Sequence, residues 1–146
     1  MADTTSIKNN ARKILATEFG SVSEDVDGSF FIRNGSAVVF VDINDWDHNG
    51  QNVGIINVFS ICVKGLKEIN KDLAVELTTD LARLFGSWSF LRAEDGTYGL
   101  IFQTHLIGAT VDAPELINAV QLVAIVADEE DDKIVRKYGG SVYVSE

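Results

Sequence analysis

The chain has 146 residues, 46% apolar and 23% charged, with one proline and one cysteine. That suits one globular domain, residues 1–146, that buries a full core without disulfides or metal, and excludes the low-hydrophobicity class of disordered chains. Its net charge of −10 repels phosphate backbones and anionic headgroups, which argues against nucleic acid and membrane surfaces as partners. Basic protein segments remain compatible with it, although acidity also serves solubility alone.

A helix is expected over residues 5–19. Thr5 or Ser6 is its candidate cap, Ile7, Ala11, Ile14, Leu15 and Phe19 recur at helical spacing, and Gly20 closes it. The polar stretch Ser21–Asp27 reads as a loop. A hairpin follows, Ser29–Arg33 and Ser36–Ile43 joined at Asn34-Gly35, the pair that best supplies the positive φ of a type I′ turn. A polar connection over Asn44–Asn52 leads to a third strand, Val53–Val63, rich in β-branched residues. Cys62 lies in its apolar run Val58–Val63, where a lone cysteine behaves as a small buried hydrophobe. It allows no intramolecular disulfide and no cysteine-based zinc cluster.

From about Asn70 to Phe85 a second helix is expected, with a stripe of Leu73, Leu77, Leu81 and Leu84 and a stop at Gly86. A second hairpin pairs Trp88–Ala93 with Tyr98–Leu106 around Asp95-Gly96. Asp112-Ala-Pro-Glu115 resembles a capping box, opening a last helix that runs through Leu116, Val120, Val123, Ala127 and Ile134 to Tyr138. Gly139-Gly140 ends it, and Ser141–Glu146 reads as a short extra strand or an ordered arm. The order α-β-β-β-α-β-β-α predicts a two-layer α+β domain, an antiparallel five-stranded sheet with helices packed on one face. Met1–Ser6 lacks the basic and apolar regions of a signal peptide, and no apolar stretch nears the ~20 residues of a membrane span, so a cytoplasmic protein is expected.

Catalytic chemistry is hard to find. The two histidines, His48 and His105, stand in a polar loop and near a strand end. Asp45, Asp47, His48 and Asn52 offer ligand atoms for a cation, but their spacing does not match a calcium loop, and an exposed hairpin tip is the plainer reading. The acids Asp128, Glu129, Glu130, Asp131 and Asp132 are consecutive on a helix and so cannot converge on one ion. They read as a solvated face or an acidic contact patch for a basic partner. Gly35, Gly50, Gly96 and Gly108 sit at turns, outside any strand–GxGxxG–helix order. No enzyme activity, cofactor or metal is expected.

Apolar strand surface is in surplus instead. Ala37, Val39, Val41 and Ile43 form one alternating set that suits the helix side, while Ser36, Val38, Phe40 and Asp42 form a mixed opposite set. The second hairpin contributes Trp88, Phe90 and Arg92 on one side of its first strand. Its second strand divides into Ile101, Gln103 and His105 against Tyr98, Leu100, Phe102 and Leu106. A solvated sheet face should alternate more plainly. Either the chain's own helices cover these residues or they form an association surface, with candidate contacts Val38, Phe40, Trp88, Phe90, Ile101 and His105.

The hairpin Arg33–Val41, the Trp46 turn, Val58-Phe59 and above all the block from His105-Leu-Ile-Gly108 through Asp112–Leu116, Ala119-Val120, Ala127-Asp128 and Asp131-Asp132 to Tyr138-Gly139-Gly140 resemble the YbjN-like family of bacterial proteins. That family shares a superfamily with the type III secretion chaperones. The resemblance implies a two-layer sandwich, commonly a homodimer, that binds peptide or protein and brings no catalytic residues. The leading expectation is therefore a non-catalytic, chaperone-like or regulatory binding module. The alternative is a homodimeric sensory or stress regulator that binds a small ligand, and a hydrolase with unusual chemistry ranks third.

Overall fold

In the computed structural model, which describes residues 3–81 and 83–143, helix α1 (Thr4–Phe19) turns Ile7, Ala11 and Leu15 into the core. Its cap is Asp3, not Thr5 or Ser6: the Asp3 carboxylate accepts the Ser6 N–H at 2.7 Å. An aspartate caps as well as a serine, so the helix starts a residue earlier than expected.

The strands in chain order are β1 (Ser23–Glu24), β2 (Phe30–Asn34), β3 (Ala37–Asn44), β4 (Asp47–His48), β5 (Gln51–Asn52) and β6 (Ile55–Leu66). Helix α2 (Lys71–Thr78), β7 (Ser87–Arg92), β8 (Tyr98–Ile107), a 3-10 turn (Gly108–Thr110), α3 (Ala113–Tyr138) and β9 (Ser141–Val142) complete the order. The main sheet runs β1-β2-β3-β6-β8-β7, with β9 also paired to β6, and each of these pairings is antiparallel.

The sheet thus has seven strands, not five, and the element order differs accordingly. The five expected strands are present. The additional two are two-residue strands defined by distant partners, Ser23 opposite Phe31 and Val142 opposite Val63: β1 lies in the stretch expected as a loop, and β9 in the tail, for which a short extra strand is one of two expectations. The supposed loop between β3 and β6 holds a small separate ribbon, β4 with β5.

Helix α2 is also shorter than expected. Asn70 caps it by accepting the N–H groups of Asp72 and Leu73. At the other end the Thr78 and Thr79 hydroxyls donate to the carbonyls of Ala74 and Val75 at 2.7 and 2.6 Å. Such back-bonding slightly weakens and bends the last helical turn. The chain leaves the helix there, and the anticipated stripe residues Leu81 and Leu84 are 88% and 96% exposed.

The helices cover a single face of the sheet. One core cluster joins Ile7, Ala11 and Leu15 of α1 to Phe30, Val39, Val58 and Phe102 of the sheet and to Leu116–Ala127 of α3. A second joins Cys62, Val63, Leu66 and Leu100 to Leu73 of α2 and Ile134 of α3. Ala37, Val39 and Val41 are buried on the helix side, as alternation predicts. A register shift in β6 between Ile61 and Val63 lets Cys62 and Val63 both sit in the interior. No helix among the described residues is long and apolar enough to cross a membrane.

Candidate functional site: the helix-free face of the sheet

With every helix on one side, the strand residues of opposite parity form an uncovered face. Cross-strand register fixes its rows. Phe31 of β2 lies opposite Phe40 of β3, which lies opposite Phe59 of β6, followed by Gln103 of β8 and Ser87 of β7. The three rings form a file: Phe31 to Phe40 is 6.3 Å between centroids, and Phe40 stacks on Phe59 at 5.2 Å with 19° between planes. All three are half-buried. An adjacent row is polar, Asp42 opposite Asn57 opposite His105. Oδ1 of Asp42 and Oδ1 of Asn57 are buried and accept no hydrogen bond among the described residues.

The face extends at both ends. Below the aromatic file, Ile61 lies opposite Ile101 and Leu91 opposite Gly99. Ile61, Lys64, Leu91, Asp95, Gly99 and Tyr143 line an apolar cleft of about 400 Å³ there. Above the polar row, Trp46, Ile55, Asn57 and His105 line a shallower depression of about 390 Å³. Trp46 is half-exposed and stacks on His48 at 6.0 Å.

The six expected contact residues divide between the two faces. Val38, Phe40, Ile101 and His105 share the uncovered face, Val38 being buried at 4% exposure. Trp88 and Phe90 do not join them. They pair with Phe102 and Leu100, whose side chains are in the core, so they point toward the helices. Trp88 meets Phe102 edge-on at 4.9 Å and packs against both clusters, and Phe90 packs against the second. Alternation puts Trp88, Phe90 and Arg92 on one side of this strand, and the expectation that this side joins the association surface is corrected: the aromatic set faces the core, and Ser87, Ser89 and Leu91 face away from it.

Phe31, Phe59, Ile61 and Leu91 belong to the face although sequence reasoning passed over them. The alternating Ile55, Asn57, Phe59, Ile61 set carried the signal for β6. Tyr143 carried none, because its place depends on where a tail lands.

The acidic run is not one open patch. Asp128 accepts the Ser36 hydroxyl from the first hairpin, and Glu130 pairs with Arg83 and Lys133 at 3.6 and 3.7 Å. Asp131 accepts the Asp132 N–H, and burial, above all, holds its carboxyl above the usual range. Glu129 and Asp132 remain exposed. Burial first, then the charges of Asp131, Glu130 and Asp128, push the Cys62 thiol far up, and its Sγ lies 3.6 Å from the Ala127 carbonyl oxygen. A thiol held protonated in this way is a poor nucleophile. Among the described residues, no three His, Cys, Asp or Glu side chains come together as a metal site.

A helix-backed antiparallel sheet with an open aromatic face defines a class of α+β binding domain, and comparison with known proteins agrees. The type III secretion chaperone SycH of Yersinia pestis, solved in complex with a stable fragment of YscM2, has the same fold at a TM-score of 0.51 and 13% identity, over 84% of this chain and 98% of that one. The chain belongs to the family described as T3SS (YopN, CesT) and YbjN peptide-binding chaperone 1, whose model matches residues 6–146. No curated protein matches the sequence. The family description, a peptide-binding chaperone, points to a non-enzymatic protein.

Proposed function

We propose that this chain is a non-catalytic peptide-binding module, chaperone-like or regulatory, that holds an extended segment of a partner protein on the helix-free face. The observation that carries the reading is the file Phe31–Phe40–Phe59, half-buried rings on a sheet face that no helix covers. Aromatic surface of this kind supplies contact area at low entropic cost. Phe40, Ile101 and His105 act with Phe59 as the contact set, while Val38, expected among the contacts, is buried beneath that face and Trp88 and Phe90 support the sheet from behind. The unpaired oxygens of Asp42 and Asn57 suit donors on the bound segment, because buried acceptors gain most from acquiring one. Basic flanks are favoured by the net charge of −10, with Glu129 and Asp132 as the open part of the acidic run.

An array of random twelve-residue peptides, probed with the wild-type chain and with Phe40→Asp, tests this. Binding to a defined subset, lost in the variant while its circular dichroism stays native, is the expected result. An identical subset bound by both proteins contradicts it.

A second reading, a homodimeric regulator, is favoured by Leu81 and Leu84 at 88% and 96% exposure, since such apolar surface gains from a subunit seam. Analytical ultracentrifugation of wild type and Leu84→Asp tests it. A dimer that becomes a monomer in the variant supports this reading, and two monomers contradict it.

A further inference from the structure

Residues 141–143, which follow the last helix, lie on the proposed peptide site. After α3, Gly139 and Gly140 take φ values of 92° and 76° and turn the backbone back to the sheet. A Cβ on Gly140 would stand 2.7 Å from the Lys64 carbonyl oxygen and 2.9 Å from Val63 Cγ1, so only glycine permits this approach. Pairing of β6 with β3 ends at Phe59, opposite Phe40. Further along β6, β9 pairs instead, Val142 opposite Val63 and Ser141 opposite Lys64. Tyr143 then sets its ring edge-on to Phe40 at 6.1 Å, beneath the Lys64 ammonium at 5.9 Å. Ser141 and Tyr143 also form part of the wall of the cleft over Gly99.

This is how an extended peptide binds a sheet: main-chain pairing to a strand edge, with an alternate side chain seated on the face. We propose that residues 141–143 are an intramolecular occupant of the peptide site, which a partner segment must displace. The inference rests on the peptide-binding reading of that face. Two paired residues and one ring contact make a weak clasp, suited to displacement. Tethered through two glycines, however, the tail acts at an effective concentration on the order of millimolar. A tail whose own intrinsic dissociation constant is about 0.1 mM or tighter therefore weakens any competing peptide at least about tenfold.

The chain's own tail is the probe. A fluorescein-labelled peptide with the sequence of residues 140–146 is titrated, by fluorescence polarisation, into the full chain and into a chain ending at Gly139. That end keeps the helix stop, in which the Gly139 N–H donates to the Val135 carbonyl. The full-length Gly140→Val variant, whose tail cannot make the close approach, serves as a second unlatched form, and circular dichroism checks both. At least about tenfold tighter binding to the unlatched forms, abolished by adding Phe40→Asp, is the expected result. Equal affinity for latched and unlatched forms overturns the proposal, as does binding that survives Phe40→Asp. If the unlatched forms ignore the tail peptide while array peptides still bind wild type and are lost in Phe40→Asp, the latch fails and the peptide-binding reading stands.

Discussion

Replacing Trp88 and Phe40 by alanine, one at a time, separates the two faces of the sheet. Trp88 points toward the helices, meets Phe102 at 4.9 Å and packs against both core clusters. Truncating a core aromatic costs about 3–5 kcal/mol. Because Trp88 is only partly buried, the expected loss is about 2–4 kcal/mol by the same measure. In a domain of this size that lowers the melting temperature by roughly 5–12 °C. Phe40 loses ring contacts on an open face, with an expected cost of about 1 kcal/mol. Urea unfolding followed by far-ultraviolet circular dichroism measures both. A Trp88→Ala loss below about 1 kcal/mol, or a Phe40→Ala loss as large as that of Trp88→Ala, would refute the assignment of faces.

Gly86→Ala should destabilise the fold by more than about 2 kcal/mol in urea titration, because φ is 71° and the new Cβ would meet Phe102 Cζ at 2.4 Å. Asn70→Ala removes the cap of α2 and should cost about 1 kcal/mol in the same assay. Cys62 should resist Ellman's reagent at pH 8 in the folded protein and react fully in denaturant. Its folded pKa is raised, so above the unfolded value of about 8.5 the unfolded state binds fewer protons and stability falls as pH rises. That slope, at most about 1.4 kcal/mol per pH unit, should disappear in Cys62→Ala, as urea midpoints at pH 8 and 10 will register.

Local chemistry made much of this fold legible. Asn34-Gly35 and Asp95-Gly96 announced the two hairpins, and the stripe from Leu116 to Ile134 announced α3. Where long-range contacts decided the outcome, the pattern ran out. The leucine stripe continues past Thr79 in sequence, but the helix ends at Thr78, its last turn weakened by the Thr78 and Thr79 hydroxyls bonding back to the Ala74 and Val75 carbonyls. Strand β7 alternates Trp88, Phe90 and Arg92 with Ser87, Ser89 and Leu91, and its register with Phe102 and Leu100 shows that the aromatic set turns inward. The same limit applies to the site. Phe40, Ile101 and His105 were visible as one side of their strands and Phe59 could have been read from the alternation of its own, whereas the file that joins Phe31, Phe40 and Phe59 required the strand order, and Tyr143 required the path of the tail.

The central claim is that the helix-free face receives the partner segment, and amide shift mapping tests it most directly. The tightest peptide from the array is titrated into nitrogen-15-labelled wild-type chain. The account predicts shifts concentrated at residues 38–42, 57–64 and 101–105, with the tail at 141–143 moving as the site fills. Shifts confined to the outer side of α3 at Leu122 and Ile125, or to the segment around Leu81 and Leu84, would contradict it.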